Sequence, residues 1–342
     1  MSVGSYPLTR QRRMKKHAWL RELSAEHQLT NSDLILPLFV HDQIQSVEIP
    51  SLPGVYRYSL EDVIKVVEQA SHAGIKAIML FPVIETAKKD SNGTDALRED
   101  TLICRTLRKL SSYDFPLGII TDIALDPYTT HSHDGVLDKD GDVDNDATVT
   151  ILAKQAALHA SCGSNIVAPS DMQDGRVKAI RDILDTNNFS YVSIMSYTAK
   201  YASRFYGPFR EAISAKGLRS LSESSPIKKD KRTYQLPSSN IKEAITAAQM
   251  QIQEGADLFI VKPAMCYLDV VRAMTESISS PVIAYQVSGE YSMLHHLAHT
   301  SGDNVIDYMH EACLCAKRAG AQAIISYASL ELARSIQQKS LP

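Results

Sequence analysis

Tryptophan occurs once in 342 residues, and cysteine five times at scattered positions: Cys104, Cys162, Cys266, Cys313 and Cys315. An odd, dispersed set argues against a disulfide-stapled secreted scaffold and fits a compartment that keeps thiols reduced. The 15 glycines and 14 prolines fall below the average usage of about 7% and 5%, which rules out collagen and low-complexity linkers. Neither sign of charge dominates, because 36 Lys and Arg face 39 Asp and Glu for a net charge of −3. No global field therefore draws nucleic acid or an anionic membrane. Long apolar runs are also missing: none approaches the ~18 residues of a membrane-spanning helix. The basic start MSVGSYPLTRQRRMKK has no apolar stretch behind it, so it does not read as a signal peptide. These absences lead us to expect a soluble cytoplasmic globular protein.

What the chain does have is alternation. Eight short apolar runs recur: LILPLFV (34–40), AIMLFPV (77–83), GIITDIALD (118–126), NIVAPS (165–170), YVSIMSY (191–197), LFIVKP (258–263), PVIAYQVSG (281–289) and AIISYAS (323–329). Near-continuous apolar runs of this length are how strands read when both faces are covered, as in a parallel sheet. Amphipathic stretches lie between them. SLEDVIKVVEQASHAG (59–74) puts Val63, Val66, Val67 and Ala70 on one face, with Ser59 placed to cap it. Gly74, Gly163, Gly255 and Gly320 each end a helical pattern shortly before a strand, where a left-handed residue turns the chain. Eight strands with helices between them predict a (β/α)8 TIM barrel over 31–342. A doubly wound open sheet competes, but no second cluster of elements remains to form another domain. Residues 1–30 precede the pattern as an N-terminal arm.

Reactive groups of such barrels sit where the strands end. The polar residues there are Asp122, Asp126, Ser170, Asp171, Lys200, Lys262, Ser288, Glu290 and Tyr327. Two lysines stand out. Lys262 follows four apolar residues in LFIVKP, and Lys200 follows YVSIMSYTA. A barrel-end lysine can snorkel, packing its stem and leaving its charge in water. If it is buried instead, desolvation and a second ammonium lower its pKa, and the neutral amine can attack a carbonyl to form a Schiff base. Between these lysines in sequence, YGPFREA carries Arg210, KKDKRTYQLP carries Lys231, Arg232 and Gln235, and a Ser-, Lys- and Gly-rich stretch joins them. This segment, about 211–234, reads as a lid that brings cations to the barrel mouth. Cations over two lysines point to a carboxylate-bearing substrate. A class I aldolase is the competing enzyme reading, although it needs neither a second lysine nor the lid. A nucleic-acid arm built on RQRRMKK has no matching basic field elsewhere.

The segments GADLFIVKPAMCY (255–267), MSYTAKYASRFYGPFREA (195–212), VAPSDMQDGRV (167–177), AYQVSGEY (284–291) and the later SYASL resemble, in order, the porphobilinogen synthase (5-aminolevulinate dehydratase) family. The N-terminal RQRRMKKHAWLRELSAEHQLTNSDLILPLFV resembles it too. The resemblance implies a lyase that condenses two 5-aminolevulinate molecules to porphobilinogen with loss of two waters, in tetrapyrrole (haem) synthesis. It also implies a homo-oligomer, usually an octamer, built by the arm. By resemblance, Lys262 and Lys200 are the two Schiff-base lysines. Ser288 and Tyr327 hold the first substrate's carboxylate, and Arg210, Lys231 and Gln235 hold the second's. The stretch between Arg210 and Lys231 is longer than the resemblance implies, which leaves the register of Lys231 against Arg232 open.

The family's zinc branch keeps three cysteines after the third strand. Here those positions are Ala124, Asp126 and Asp134 within DIALDPYTTHSHDG. Alanine cannot ligate, and carboxylates suit hard cations better than zinc. The pattern resembles the zinc-independent, aspartate-rich branch, so we expect no catalytic zinc and no organic cofactor. His131 and His133 are read as structural rather than as replacement ligands. The glutamate that holds an allosteric magnesium in that branch is replaced by Ala247. Whether magnesium or a monovalent cation binds elsewhere is not decided by the sequence. DKDGDVDND (138–146) lacks the Gly and Glu spacing of a calcium loop and reads as a turn. Cys313 and Cys315, two apart on a helical pattern, point to different faces.

Overall fold

The computed structural model describes residues 4–213, 225 and 227–340. Part of the expected lid, 214–224 and 226, lies outside the described residues. Eight parallel strands form the barrel: β1 (Leu34–His41), β4 (Ala77–Val83), β5 (Gly118–Ile123), β6 (Ile166–Pro169), β7 (Ser193–Lys200), β8 (Leu258–Lys262), β9 (Val282–Tyr285) and β10 (Ala323–Ile325). Each pairs with its neighbours in chain order, and β10 returns to β1 through Leu34↔Ile324 and Ile35↔Ile325, which closes the sheet. Each of the eight apolar runs thus contributes a strand, although the strands stop short of several run ends. The run 118–126 leaves the sheet at Ile123, and this frees Asp126 to turn toward the barrel mouth. The sequence did not reveal a small hairpin, β2 (Val47–Glu48) with β3 (Tyr56–Tyr58), which packs outside β1. Its strands are too short and too exposed to carry a pattern.

The helices cover the barrel as their amphipathic faces require. In Leu60–His72 the buried residues are Val63, Ile64, Val67 and Ala70, and the Ser59 hydroxyl accepts from the Asp62 amide. A cap of this kind contributes about 1 kcal/mol. Gly255 ends the helix Lys242–Glu254 at φ +100°, a conformation that glycine adopts without strain. The acidic stretch 138–146 is a turn. Leu137 bridges Val143, Asp138 accepts from the Asp140 and Asp142 amides, and Asp144 caps the helix that begins at Asn145.

The barrel interior is aromatic near its C-terminal end. Phe39, Phe81, Tyr197 and Tyr285 are fully buried, and Phe39 lies 5.8 Å from the Phe81 ring. Packed rings here form a floor beneath the mouth rather than a pore. The arm is different in kind. Its helices Gln11–Lys15 and Ala18–Leu23 bury no residue, and Tyr6, Leu8, Trp19 and Leu23 stand exposed.

Candidate active site

Lys200 and Lys262 close adjacent strands and are direct partners in the β7–β8 register. Both ammonium groups turn into the barrel mouth, with only 6% and 4% exposure, so neither snorkels. Their surroundings differ. Lys200 Nζ donates to the Ser170 carbonyl and to Asp134 Oδ1 at 3.2 Å. Lys262 Nζ sits among rings, 4.2 Å from the centroid of Tyr285, 4.8 Å from Phe209, 5.2 Å from Tyr197 and 5.5 Å from Tyr206. Burial, and then the nearby Lys200 ammonium, push the Lys262 amine down to about 7. A desolvated amine with a like charge beside it is the expected state of a carbonyl nucleophile.

A cavity of about 40 Å³ opens over the two lysines, lined among others by Asp122, Asp126, Ser170, Arg210, Lys231 and Gln235. This is room for a few waters by the ~10–15 Å³ that each needs. The ring of Phe209 also lines the cavity, 5.6 Å from Phe81 and 5.8 Å from Phe39. Burial and the neighbouring Asp126 carboxylate push Asp122 up to about 7. Its Oδ1 is buried with no hydrogen-bond partner among the described residues. A carboxyl that is part protonated near neutrality can both give and take a proton.

Lys231 lies inside the mouth and Arg232 outside it. Lys231 Nζ reaches Asp126 Oδ2 at 3.1 Å and Asp134 Oδ2 at 2.5 Å, whereas Arg232 pairs with Asp230 on the surface at 2.7 Å. Burial alone would raise the Asp134 pKa, but Lys200 and Lys231 together hold it well below the usual carboxylate range. Burial likewise works against the Lys231 charge, but Asp126 and Asp134 raise its pKa overall.

The two expected carboxylate-binding hydroxyls are not among the residues that line the cavity. Ser288 Oγ accepts from the Phe209 amide at 2.9 Å, and Tyr327 Oη lies 3.5 Å from Tyr285 Oη. Beside Ser288, a Cβ on Gly289 would come within 2.5 Å of the Phe205 carbonyl, so glycine permits the close approach that seats the short helix Gly207–Ala212. Two strand-end residues face elsewhere. Asp171 pairs with buried Arg176 at 3.5 Å, and Glu290 accepts from the Val287 and Met265 amides at 2.9 and 2.7 Å. The sequence reading missed the aromatic surround of Lys262, because inward-facing Tyr and Phe in strands look like ordinary core.

The residues at the zinc-branch positions do not fit zinc. Ala124 has no donor atom, and Asp126 and Asp134 both accept from the Lys231 ammonium, a cation where a metal would have to bind. Among the described residues no group of three or more His, Cys, Asp or Glu is arranged to hold a metal. Ala247, on the helix Lys242–Glu254, offers no ligand either.

The family model for delta-aminolevulinic acid dehydratase matches residues 8–335. The chain belongs to the delta-aminolevulinic acid dehydratase family. The enzyme of that name from Bradyrhizobium diazoefficiens is 44% identical over 334 residues, covering 96% of this chain and 91% of the relative. The Chlamydia pneumoniae enzyme is 43% identical, with 96% of each chain covered, and the chloroplastic soybean enzyme is 41% identical over 98% of this chain and 79% of its own. The solved structure of the Toxoplasma gondii dehydratase (porphobilinogen synthase), in complex with its product porphobilinogen, superposes with a TM-score of 0.91. That match is at 40% identity over 98% of this chain and 94% of the other. The fold, the family and the lyase class follow from these matches.

Proposed function

We propose that Lys262 and Lys200 carry out the family reaction, the condensation of two 5-aminolevulinate molecules to porphobilinogen with loss of two waters, each lysine as an imine with one substrate ketone. The observation that carries this reading is the register pair of buried lysines, one of them an amine near pKa 7. Joining two ketones needs one nucleophilic carbon and one electrophilic carbon. An iminium supplies either role, because it acidifies its neighbouring carbon and activates its own. The neutral Lys262 amine attacks first. Asp122, poised near neutrality, gives a proton to the departing hydroxyl and takes one from the acidified carbon. Arg210, Lys231 and Gln235 face the cavity as the partners of one substrate carboxylate. Ser288, which now accepts from the Phe209 amide, and Tyr327 serve the other. Incubation with 5-aminolevulinate should give pyrrole colour, and borohydride should trap substrate on both lysines. A protein that forms no pyrrole with both lysines intact would refute this reading.

The protein needs no organic cofactor and no catalytic zinc in this reading, and activity measured across magnesium and monovalent cations decides the ionic requirement. The exposed apolar side chains of the arm support residues 1–30 as a contact to a second copy in a homo-oligomer, an octamer by family resemblance. Residues 31–342 then form the catalytic barrel. Solution mass before and after deletion of 1–30 tests this. All five cysteines are free thiols, which supports a cytoplasmic setting. No helix among the described residues is long and apolar enough to cross a membrane.

A further inference from the structure

The carboxylate that holds Lys200 has a second set of partners, which the mechanism does not use. Asp134 is fully buried. Besides Lys200 on Oδ1 and Lys231 on Oδ2, its Oδ2 accepts from the Tyr234 hydroxyl at 3.1 Å. Tyr234 ends the expected lid segment, and His133, fully buried beside Asp134, faces it. His133 Nε2 is 2.8 Å from the Lys228 carbonyl, which can only accept, so that nitrogen carries the ring proton. Burial lowers the His133 pKa and opposes a second proton. Its Nδ1 is therefore an acceptor, 2.9 Å from the Tyr234 hydroxyl. One hydroxyl proton thus faces two acceptors, His133 Nδ1 and Asp134 Oδ2.

We propose that Tyr234, oriented by His133, is a positioning residue for Lys200. Its proton turns to Asp134 when Lys200 leaves that carboxylate to become an imine, and turns back to His133 when the ammonium returns. A buried carboxylate stripped of a donor is costly. Without Tyr234 that cost falls on the step that consumes Lys200, because Asp134 grips the ammonium harder. Lys262, caged by rings and outside this chain of hydrogen bonds, is untouched. The proposal rests on the assignment of Lys200 as an imine-forming residue.

The test is the rate at which borohydride traps 5-aminolevulinate on each lysine of the full-length enzyme, read by peptide mass. Tyr234→Phe should slow labelling at Lys200 by about tenfold, the order of one hydrogen bond to a charged group, and leave labelling at Lys262 at the wild-type rate. Thr233→Val should change neither. It removes a hydroxyl from the same segment, one that binds Asp142 at 2.7 Å and not Asp134. His133→Asn should also slow Lys200 alone, and adding it to Tyr234→Phe should cost less than a further twofold. Equal slowing at both lysines, wild-type labelling in Tyr234→Phe, or equal slowing by Thr233→Val would each overturn the proposal as a merely structural effect. Wild-type enzyme that forms porphobilinogen with no label at Lys200 would instead refute the imine assignment, and the proposal with it.

Discussion

Lys200 and Lys262 stand side by side at the end of one sheet, yet opposite chemistry holds them. Lys200 is a paired charge, bonded to a carboxylate that it shares with Lys231. Lys262 is an amine among four rings, with no ion pair among the described residues, and its pKa is pushed down to about 7. The first environment bonds its ammonium directly to a carboxylate, and the second is a desolvated site that lowers the pKa of the amine it holds. In the proposed reaction the Lys262 amine is free to attack first, whereas Lys200 must first leave its carboxylate. Each ammonium also acts on its partner, since the Lys200 charge is part of what lowers Lys262.

The largest break in this comparison comes from removing either amine. Lys262→Ala should abolish both turnover and first-substrate trapping. Lys200→Ala should abolish turnover yet leave Lys262 trappable by borohydride. Equal trapping in the two variants would dissolve the distinction. Next in size is Asp134→Asn, which leaves the Lys200 and Lys231 charges without the carboxylate that joins them. Breaking a buried pair by removing one partner costs about 3–5 kcal/mol, so we expect a clear drop in unfolding midpoint and a large fall in kcat, with trapping at Lys262 retained. Loss of trapping at Lys262 in that variant would mean that the two environments are not separable.

Much of this was legible in the sequence, and the rest was hidden for identifiable reasons. The eight strands showed because both faces are buried, which leaves unbroken apolar runs. The lysines showed because a charge inside such a run is conspicuous. The hairpin Val47–Tyr58 did not, since two- and three-residue strands carry no period. The rings around Lys262 did not, because Tyr197 and Tyr285 occupy strand positions where any aromatic fills a core, and only the fold brings Tyr206 and Phe209 over them. The placing of Lys231 rather than Arg232 inside the mouth was equally hidden, because neighbours in a loop share composition and differ only in direction. Ser288 and Tyr327 showed as strand-end polar residues and took their roles from resemblance, and the structure leaves both off the cavity lining.

A smaller effect separates the lysines by pH. An amine with a pKa lowered to about 7 is protonated below that pH and nucleophilic above it. Trapping at Lys262 should therefore rise about tenfold from pH 6 to pH 8 and then level, as one group titrating near 7 requires. An ordinary lysine, near 10.4, would still be gaining at pH 9, and that outcome would refute the depressed amine. Because the Lys200 ammonium contributes to the lowering, Lys200→Met should move the limb to higher pH. A limb that stays in place would show that burial alone sets it.

The smallest expected effect is none at all, and it bears on the Lys200 side of the comparison. If Asp126 and Asp134 are satisfied by lysine ammonium groups, as the 3.1 and 2.5 Å contacts of Lys231 indicate, a zinc-selective chelator has nothing catalytic to remove. Activity should be unchanged after prolonged chelation, with solution mass followed in the same buffer so that a cation needed for assembly is told apart from one needed for chemistry. Strong inhibition with the assembly intact would mean that a metal displaces Lys231 from these carboxylates in the working enzyme. Lys200 would then sit beside a metal ion rather than beside a second amine, and the contrast with Lys262 would have to be redrawn around that ion's charge.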